Sequence, residues 1–208
     1  MEKVLSTYEE SYDEEYPVIC FDERPCQLIS DVIEPIGPAP GHNKKIDYHY
    51  KRNGTCSVFM AIEPLTGKRI VDVVGQRKKK QYTEFMQKIS SEYPKAKKIK
   101  LVQDNLNTHS PSSFYASLPP DEAFNLMERF EMIFTPRKAS WLNMVEIELS
   151  ALSRQCLDRR IGELEELKKE VSTWTNERTK KEVKISWQFT KEKAREKLIR
   201  KYQSVQNF

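Results

Sequence analysis

Three carboxylates stand where chemistry is easily placed. Asp104 follows a short β-type run, Ile99 to Val102, and leads into Asn105, Asn107, Thr108 and His109. Asp22 follows a second compact apolar run, Val18 to Phe21. Glu146 falls early in a helix-patterned stretch that opens at Ser140. A strand that stops on a carboxylate presents ligands at the end of a sheet, where open α/β sheets place their sites. A strand-terminal Asp also serves as the N-cap of a following helix, so Asp104 alone does not decide between ligand and cap. Three carboxylates gathered within a few ångströms repel one another unless a cation compensates. Hard oxygen ligands without a Cys or His cluster select Mg²⁺ or Mn²⁺ over zinc. Two such ions, about 4 Å apart, activate a water or a 3′-hydroxyl and stabilise the leaving oxygen in an in-line attack on a phosphodiester.

The residues around these carboxylates suit a supporting shell. Asn105, Asn107 and Asn143 are placed to orient ligands. His109 is open to three readings: a phosphate contact, a proton shuttle or a surface loop histidine. Each of two carboxylates has a rival. Glu148 projects roughly 200° around the helix from Glu146, so Glu146 is preferred. Glu23 faces the opposite side of its strand from Asp22, so only one of the two serves.

The elements that must position these groups follow from patterning. Residues 24–54 hold Pro25, Pro35, Pro38 and Pro40 with Gly37, Gly41 and Gly54, and read as a long loop with at most a short helix near 28–32. Thr55 to Ile62 and Arg69 to Val74 form a hairpin around Glu63-Pro-Leu-Thr-Gly67. A helix over 81–93 has Tyr82, Phe85, Met86 and Ile89 on one face, and Pro94 closes it. After the 98–103 strand the chain is loop-like to Pro119. Pro120, Asp121 and Glu122 then open a helix to about 130, and Met132 to Phe134 form a short strand. Ser140 is the expected N-cap of a helix through Cys156. Residues 161–174 are amphipathic, Val183 to Phe189 alternate as a strand or an extended arm, and Thr190 caps a final basic helix over 191–202.

Strand, long loop, hairpin, helix, strand, helix, strand, helix is the ribonuclease-H-like order: an α/β fold with a mixed five-stranded sheet, flanking helices and a helical C-terminal extension. In it the first and fourth strands are neighbours, so Asp22 and Asp104, 82 residues apart, end side by side. Glu146, 42 residues further on, leans over them from a helix.

Bulk properties limit the partners. With 38% apolar and 32% charged residues the chain is globular and polar, and no run of about 18 apolar residues exists to span a membrane. No secretory signal is visible, and the four cysteines lack a C-x-x-C pair; they read as reduced thiols in a cytoplasmic protein. Net charge is +4, and its placement is more informative than its sum. Lys44, Lys45, Lys51 and Arg52 interleave with Tyr48, His49 and Tyr50, a pattern that suits a phosphate backbone and unstacked bases, or else a solvated loop. Arg77, Lys78 and Lys79 precede a helix, and Arg137 and Lys138 lie in the turn before Ser140. These nine cations are the candidate DNA-binding residues. Residues 1–16 carry six acids against Lys3 and read as a linker remnant or frayed helix. Residues 17–157 are the expected catalytic domain. Residues 158–208 form a basic extension, with 14 Lys and Arg against 9 Asp and Glu.

Cys-Phe-Asp22-Glu, Gln-Asp104-Asn-Leu-Asn-Thr-His109 and Ser140-Trp-Leu-Asn-Met-Val-Glu146 resemble the three signature blocks of DDE transposases, nearest to the bacterial insertion-sequence branch of the mariner superfamily. The resemblance covers residues 17 to 205. It implies metal-dependent nicking of transposon ends and strand transfer into target DNA, usually at a TA dinucleotide. It assigns Asp22, Asp104 and Glu146 as the triad holding two Mg²⁺ or Mn²⁺ ions. Expected partners are DNA and either a second copy or a full-length transposase. Such enzymes carry an N-terminal helix-turn-helix region, and nothing like it precedes Val18, so a truncated or separated catalytic half is expected. A non-catalytic remnant that binds DNA or full-length transposase, and a ribonuclease-H-like nuclease, are the alternative functions.

Overall fold

Among the described residues there are five strands and seven helices. The strands are β1 (Val18–Asp31), β2 (Tyr50–Ile62), β3 (Arg69–Val74), β4 (Ile99–Gln103) and β5 (Phe130–Phe134). The helices are α1 (Glu2–Tyr8), α2 (Lys79–Glu92), α3 (Ser112–Tyr115), α4 (Pro120–Glu128), α5 (Val145–Gln155), α6 (Leu164–Lys180) and α7 (Lys191–Lys197), with a 3₁₀ turn at Ser140–Leu142. The structure, a computed structural model, describes residues 1–200 and Tyr202. The last part of the expected 158–208 extension lies outside the described residues. Among the described residues no helix is long and apolar enough to cross a membrane.

The sheet order is β3-β2-β1-β4-β5, antiparallel from β3 to β1 and parallel from β1 to β5. Each face buries its own core. On one, Cys20, Leu28, Val58, Met60 and Val102 meet Val145, Leu149 and Leu152 of α5 and Leu167 and Val171 of α6. On the other, Ile19, Phe21, Phe59 and Leu101 meet Tyr82, Phe85, Met86 and Ile89 of α2, with Phe114 and Leu126 closing the layer. Strand alternation makes this division: even-numbered residues of β1 face α5 and odd-numbered ones face α2.

β1 runs to Asp31, well past the end expected at Asp22, and β2 starts at Tyr50. The expected loop over 24–54 is therefore mostly a long hairpin. Its tip is an arm closed by the bridges Ile36↔Lys45 and Ala39↔His42, with Gly41 at φ +78° in the turn. Pro25 invited the loop reading, because proline cannot donate to a ladder. Its missing N–H falls on the edge that β4 has already left. Odd residues of β1 point their backbone groups that way: Pro17 O accepts from Lys100 N, Phe21 O accepts from Asn143, and Ile29 N donates to Ile161 O. Pairing to β2 uses the other edge and survives the proline.

The acidic start of the chain is ordered. α1 buries Val4 and Leu5 completely, so residues 2–8 belong to the folded unit and are no frayed linker. Beyond it, Glu10, Glu14 and Glu15 pair with Lys100, Lys95 and Lys97. Ser140 lies in the 3₁₀ turn, and α5 begins at Val145 with no side-chain cap, against the expected cap at Ser140. Thr190 does cap α7, accepting from Lys193 N. Residues 183–189 are an extended arm: Ile185 N donates to Pro64 O, and Trp187 packs edge-on to Tyr8. Gly67, at φ +79°, lets this arm cross closely, since a Cβ there would lie 2.7 Å from Val183 O.

Candidate active site

β1 and β4 pair in parallel with Val18 opposite Lys100 and Cys20 opposite Val102. The same register carried past Gln103 sets Asp104 level with Asp22. Asp22 sits mid-strand, where its neighbour β4 ends and β1 continues alone beside β2. It is an even-numbered residue, so its side chain lies on the α5 face. Glu146, in the first turn of α5, approaches from above. The Phe21–Asn143 contact fixes that approach: Asn143 Nδ2 donates to Phe21 O at 2.8 Å, linking the start of α5 to the backbone beside Asp22.

Asp22 is pushed up to about 7, first by burial and then by the negative charges of Glu146, Asp104 and Glu23. The amide of Glu23, donating to Asp22 Oδ1 at 2.8 Å, opposes the rise without cancelling it. Asp104 behaves oppositely. His109 holds it below the usual carboxylate range, against the effect of its own burial.

His109 is 1% exposed, which excludes the surface-loop reading and gives it no path to a phosphate. Its ring stacks on Tyr82 at 5.0 Å and meets the edge of Phe21. Nδ1 pairs with Asp104 Oδ1 at 2.5 Å and Nε2 with Glu23 Oε2 at 2.9 Å. Burial works against its charge, but the carboxylates of Asp104 and Glu23 outweigh it and push it up to about 9. The two carboxylates favour the charged ring, which hydrogen-bonds Asp104 through Nδ1 and faces Glu23 with Nε2. It holds Asp104 in place from beneath the site. Gln103 secures the loop, donating to His109 O at 3.2 Å and accepting from Tyr82 Oη at 2.9 Å.

Glu23 is more than the discarded rival of Asp22. Alternation sends it to the α2 face, where it binds His109 and Arg77. Only its adjacency to Asp22 hinted at this in the sequence. Glu148 likewise has a separate role, buried between Arg69 and Arg178. Asp104 caps no helix: Oδ1 accepts from Leu106 N in a tight turn, and α3 begins only at Ser112.

The other candidates scatter. Asn105 is exposed. Arg137 and Lys138 line a cleft of about 530 Å³ beside Asp104, with Leu106 and Phe134 as its apolar walls. Lys138 stands at φ +60°, a left-handed backbone rare outside glycine. Arg77 pairs with Glu23, and Lys78 and Lys79 are exposed at the start of α2. Lys44 and Lys45 lie on the arm, and Lys51 and Arg52 at the far end of β2, well along the hairpin from Asp22.

The donor set fits a hard divalent cation. Asp22 feels the negative charges of Glu146 and Asp104, and Asn143 Oδ1 is buried nearby without a donor among the described residues. An acceptor in that position suits the water of a hydrated cation. Among the described residues no three His, Cys, Asp or Glu side chains are already gathered closely enough to hold a metal ion. Asp104 is turned toward His109 instead.

No curated protein sequence matches the chain significantly. Solved structures do match in fold. The Mos1 mariner paired end complex with Mn aligns at TM-score 0.57 and 15% identity, over 87% of this chain and 55% of that one. The Mos1 transposase paired-end complex with left transposon end aligns at 0.58 and 14%, over 88% and 55%. The Mos1 Strand Transfer Complex aligns at 0.56 and 15%, over 84% and 51%. The chain thus spans about half the length of these relatives and shares their fold. The family model described as DDE superfamily endonuclease matches residues 17–168, most of the chain and the span in which the three carboxylates lie. On that match, and with the fold it requires in place, the chain belongs to the DDE superfamily endonucleases.

Proposed function

We propose that this chain is the catalytic domain of a mariner-like DNA transposase, of the bacterial insertion-sequence branch, that cuts at transposon ends and joins the freed end to target DNA. The observation that carries the reading is the β1–β4 register that sets Asp104 level with Asp22, where the charge of Glu146 is also felt, within a DDE endonuclease fold. Asp22, Asp104 and Glu146 would hold two Mg²⁺ or Mn²⁺ ions. When bound, such ions activate an attacking oxygen and stabilise the leaving one. The chain's own residues supply the frame. His109 keeps Asp104 ionised and oriented, and Asn143 ties α5 to β1. Arg137 and Lys138 offer positive charge beside the carboxylates, where a DNA backbone approaches. The cations on the arm and on β2 extend that surface away from the site.

The purified chain is expected to nick supercoiled plasmid in Mn²⁺ or Mg²⁺ and to stop on chelation, measured by conversion to open circles on a gel. Tight, salt-dependent DNA binding without metal-dependent nicking would instead favour a non-catalytic DNA-binding role. Cleavage confined to RNA–DNA hybrids would favour the nuclease reading.

For assembly we infer a homodimer, or pairing with a full-length transposase, through the arm. Val32, Ile33, Ile36 and Ile46 are each more than half exposed along one two-stranded projection, an apolar surface that a second copy would cover. Ile33→Asp with Ile36→Asp is expected to shift the chain from dimer to monomer in sedimentation velocity. A wild-type chain that sediments as a monomer at all concentrations would sink this assignment.

A further inference from the structure

The residues that lead into Glu146 hold themselves in place poorly. Neither the 3₁₀ turn at Ser140–Leu142 nor α5 opens on a side-chain cap. Two hydrogen bonds from outside the segment supply the anchor instead. One is already described: Asn143 Nδ2 donates to Phe21 O, beside Asp22, at 2.8 Å. The other comes from the first helix of the chain. Tyr8 Oη donates to Leu142 O at 2.8 Å, across 134 positions of sequence. Leu142 is fully buried, and leaving a buried carbonyl unmade is costly.

The two anchors grip the same short piece of backbone. Leu142 O belongs to the peptide that joins Leu142 to Asn143, and the second anchor is the side chain of Asn143. Asn143 O then accepts from the amide of Glu146 at 3.1 Å. Tyr8 is itself fixed from three directions. α1 buries its neighbours Val4, Leu5 and Thr7. Trp187 of the C-terminal arm meets its ring edge-on, 5.4 Å between centroids. Cys20 Sγ donates to Tyr8 Oη at 3.5 Å, and Cys20 precedes Asp22 by two residues, on the same face of β1. One phenol oxygen therefore bridges the strand that carries Asp22 and the turn that leads to Glu146. A ligand-bearing side chain is only as well placed as the groups that hold its backbone.

We propose that Tyr8 is a positioning residue that sets the direction of Glu146, acting through the Leu142–Asn143 peptide. The inference rests on the transposase reading for the role of Glu146 and on the two hydrogen bonds for the anchor. Tyr8 takes no part in bond making.

The test uses the full chain and Tyr8→Phe, which deletes the hydroxyl and keeps the ring against Trp187. In the metal-free protein, amide hydrogen exchange read by mass spectrometry is expected to quicken about tenfold over peptides spanning 140–148 and to stay unchanged elsewhere. In Mn²⁺ nicking assays kcat is expected to fall about tenfold, the loss typical of a group that orients a metal ligand, with KM for DNA unchanged. Cys20→Ala is the control. It removes the other bond to Tyr8 Oη and some core packing but leaves the hydroxyl on Leu142 O, so kcat should hold. Thermal melts check that both variants fold. Unchanged exchange over 140–148 or unchanged kcat in a folded Tyr8→Phe chain overturns the inference, as does an equal fall of kcat in Cys20→Ala. The wild type decides without any variant as well: the amides of Asn143 and Glu146, bonded to Ser140 O and Asn143 O, should be protected, and fast exchange at both overturns the inference. Absence of nicking by the wild type counts against the transposase reading, while exchange in the metal-free chain still decides whether Tyr8 holds this segment.

Discussion

Asp104→Asn abolishes metal-dependent nicking while the fold survives. The expected rate loss is about a thousandfold or more. A catalytic metal supplies several kcal/mol of charge stabilisation, and each factor of ten in rate corresponds to about 1.4 kcal/mol. Asparagine keeps the shape of the side chain and its Oδ1, so the turn to Leu106 N persists. What disappears is the negative charge that faces both the cation and the His109 imidazolium. His109 still has Glu23 at 2.9 Å, so it remains partnered. The stability cost should stay near that of one charge-assisted hydrogen bond, about 1–3 kcal/mol. Plasmid nicking measures the first effect, and circular-dichroism melting together with calorimetric titration of Mn²⁺ measures the second. A folded Asp104→Asn chain that still nicks would remove Asp104 from the triad, and with it the register argument that paired it with Asp22.

Glu148→Gln has the opposite signature: it lowers stability without touching the three site carboxylates. Glu148 is 1% exposed and accepts from Arg69 Nε at 2.9 Å, Arg178 Nε at 2.9 Å and Arg178 Nη2 at 2.8 Å. Arg69, itself 7% exposed, also donates to Gly67 O and Val183 O. One carboxylate thus joins α5 to β3, α6 and the C-terminal arm. Neutralising it strands two buried guanidinium groups, which costs about 3–5 kcal/mol, against a total stability of roughly 5–15 kcal/mol for a domain. Chemical denaturation should show a large fall in midpoint. Replacing all three charges with apolar side chains of similar volume is expected to recover much of the loss, because the penalty lies in unpaired charge. A small effect of Glu148→Gln, within the range of a surface substitution, would show that water reaches this cluster.

The same cluster sets an acid limit. Burial works against the charge on Glu148, but Arg178 and Arg69 outweigh it and hold the group below its ordinary value of 4.5. A carboxylate depressed in the folded state binds fewer protons there than in the unfolded chain. Its stabilising contribution is therefore complete above the unfolded value and is lost as pH falls below about 4.5 and through the depressed folded value. Wild-type stability should drop across that acid window, and the apolar triple variant should drop less.

Apolar periodicity placed the strands at 69–74 and 98–103 and the helix over 81–93 within a few residues of where they stand, and it found the start of β1 and the end of β2 but not their extension to Asp31 and back to Tyr50. Those patterns report local burial, and local burial is what alternation and the 3.6-residue repeat encode. The order of elements then limited the topology to one in which Asp22 and Asp104 are neighbours. The preference for Glu146 over Glu148 followed from helical angle alone, and the structure finds Glu148 occupied by arginines. Pro25 misled, because a proline signals a break only if its missing donor faces a partner, and which edge of β1 is open depends on where β4 stops.

The sequence by itself therefore determined the layout: which strands exist, and that Asp22 and Asp104 end level on neighbouring strands. Tertiary structure alone decided the partners. It buried His109 between Asp104 and Glu23 and gave Glu148 to two arginines from distant elements. The physical reason is that pairing depends on distances across the sheet, between residues up to a hundred positions apart. No local period carries that information, and it exists only once register and helix packing have been set.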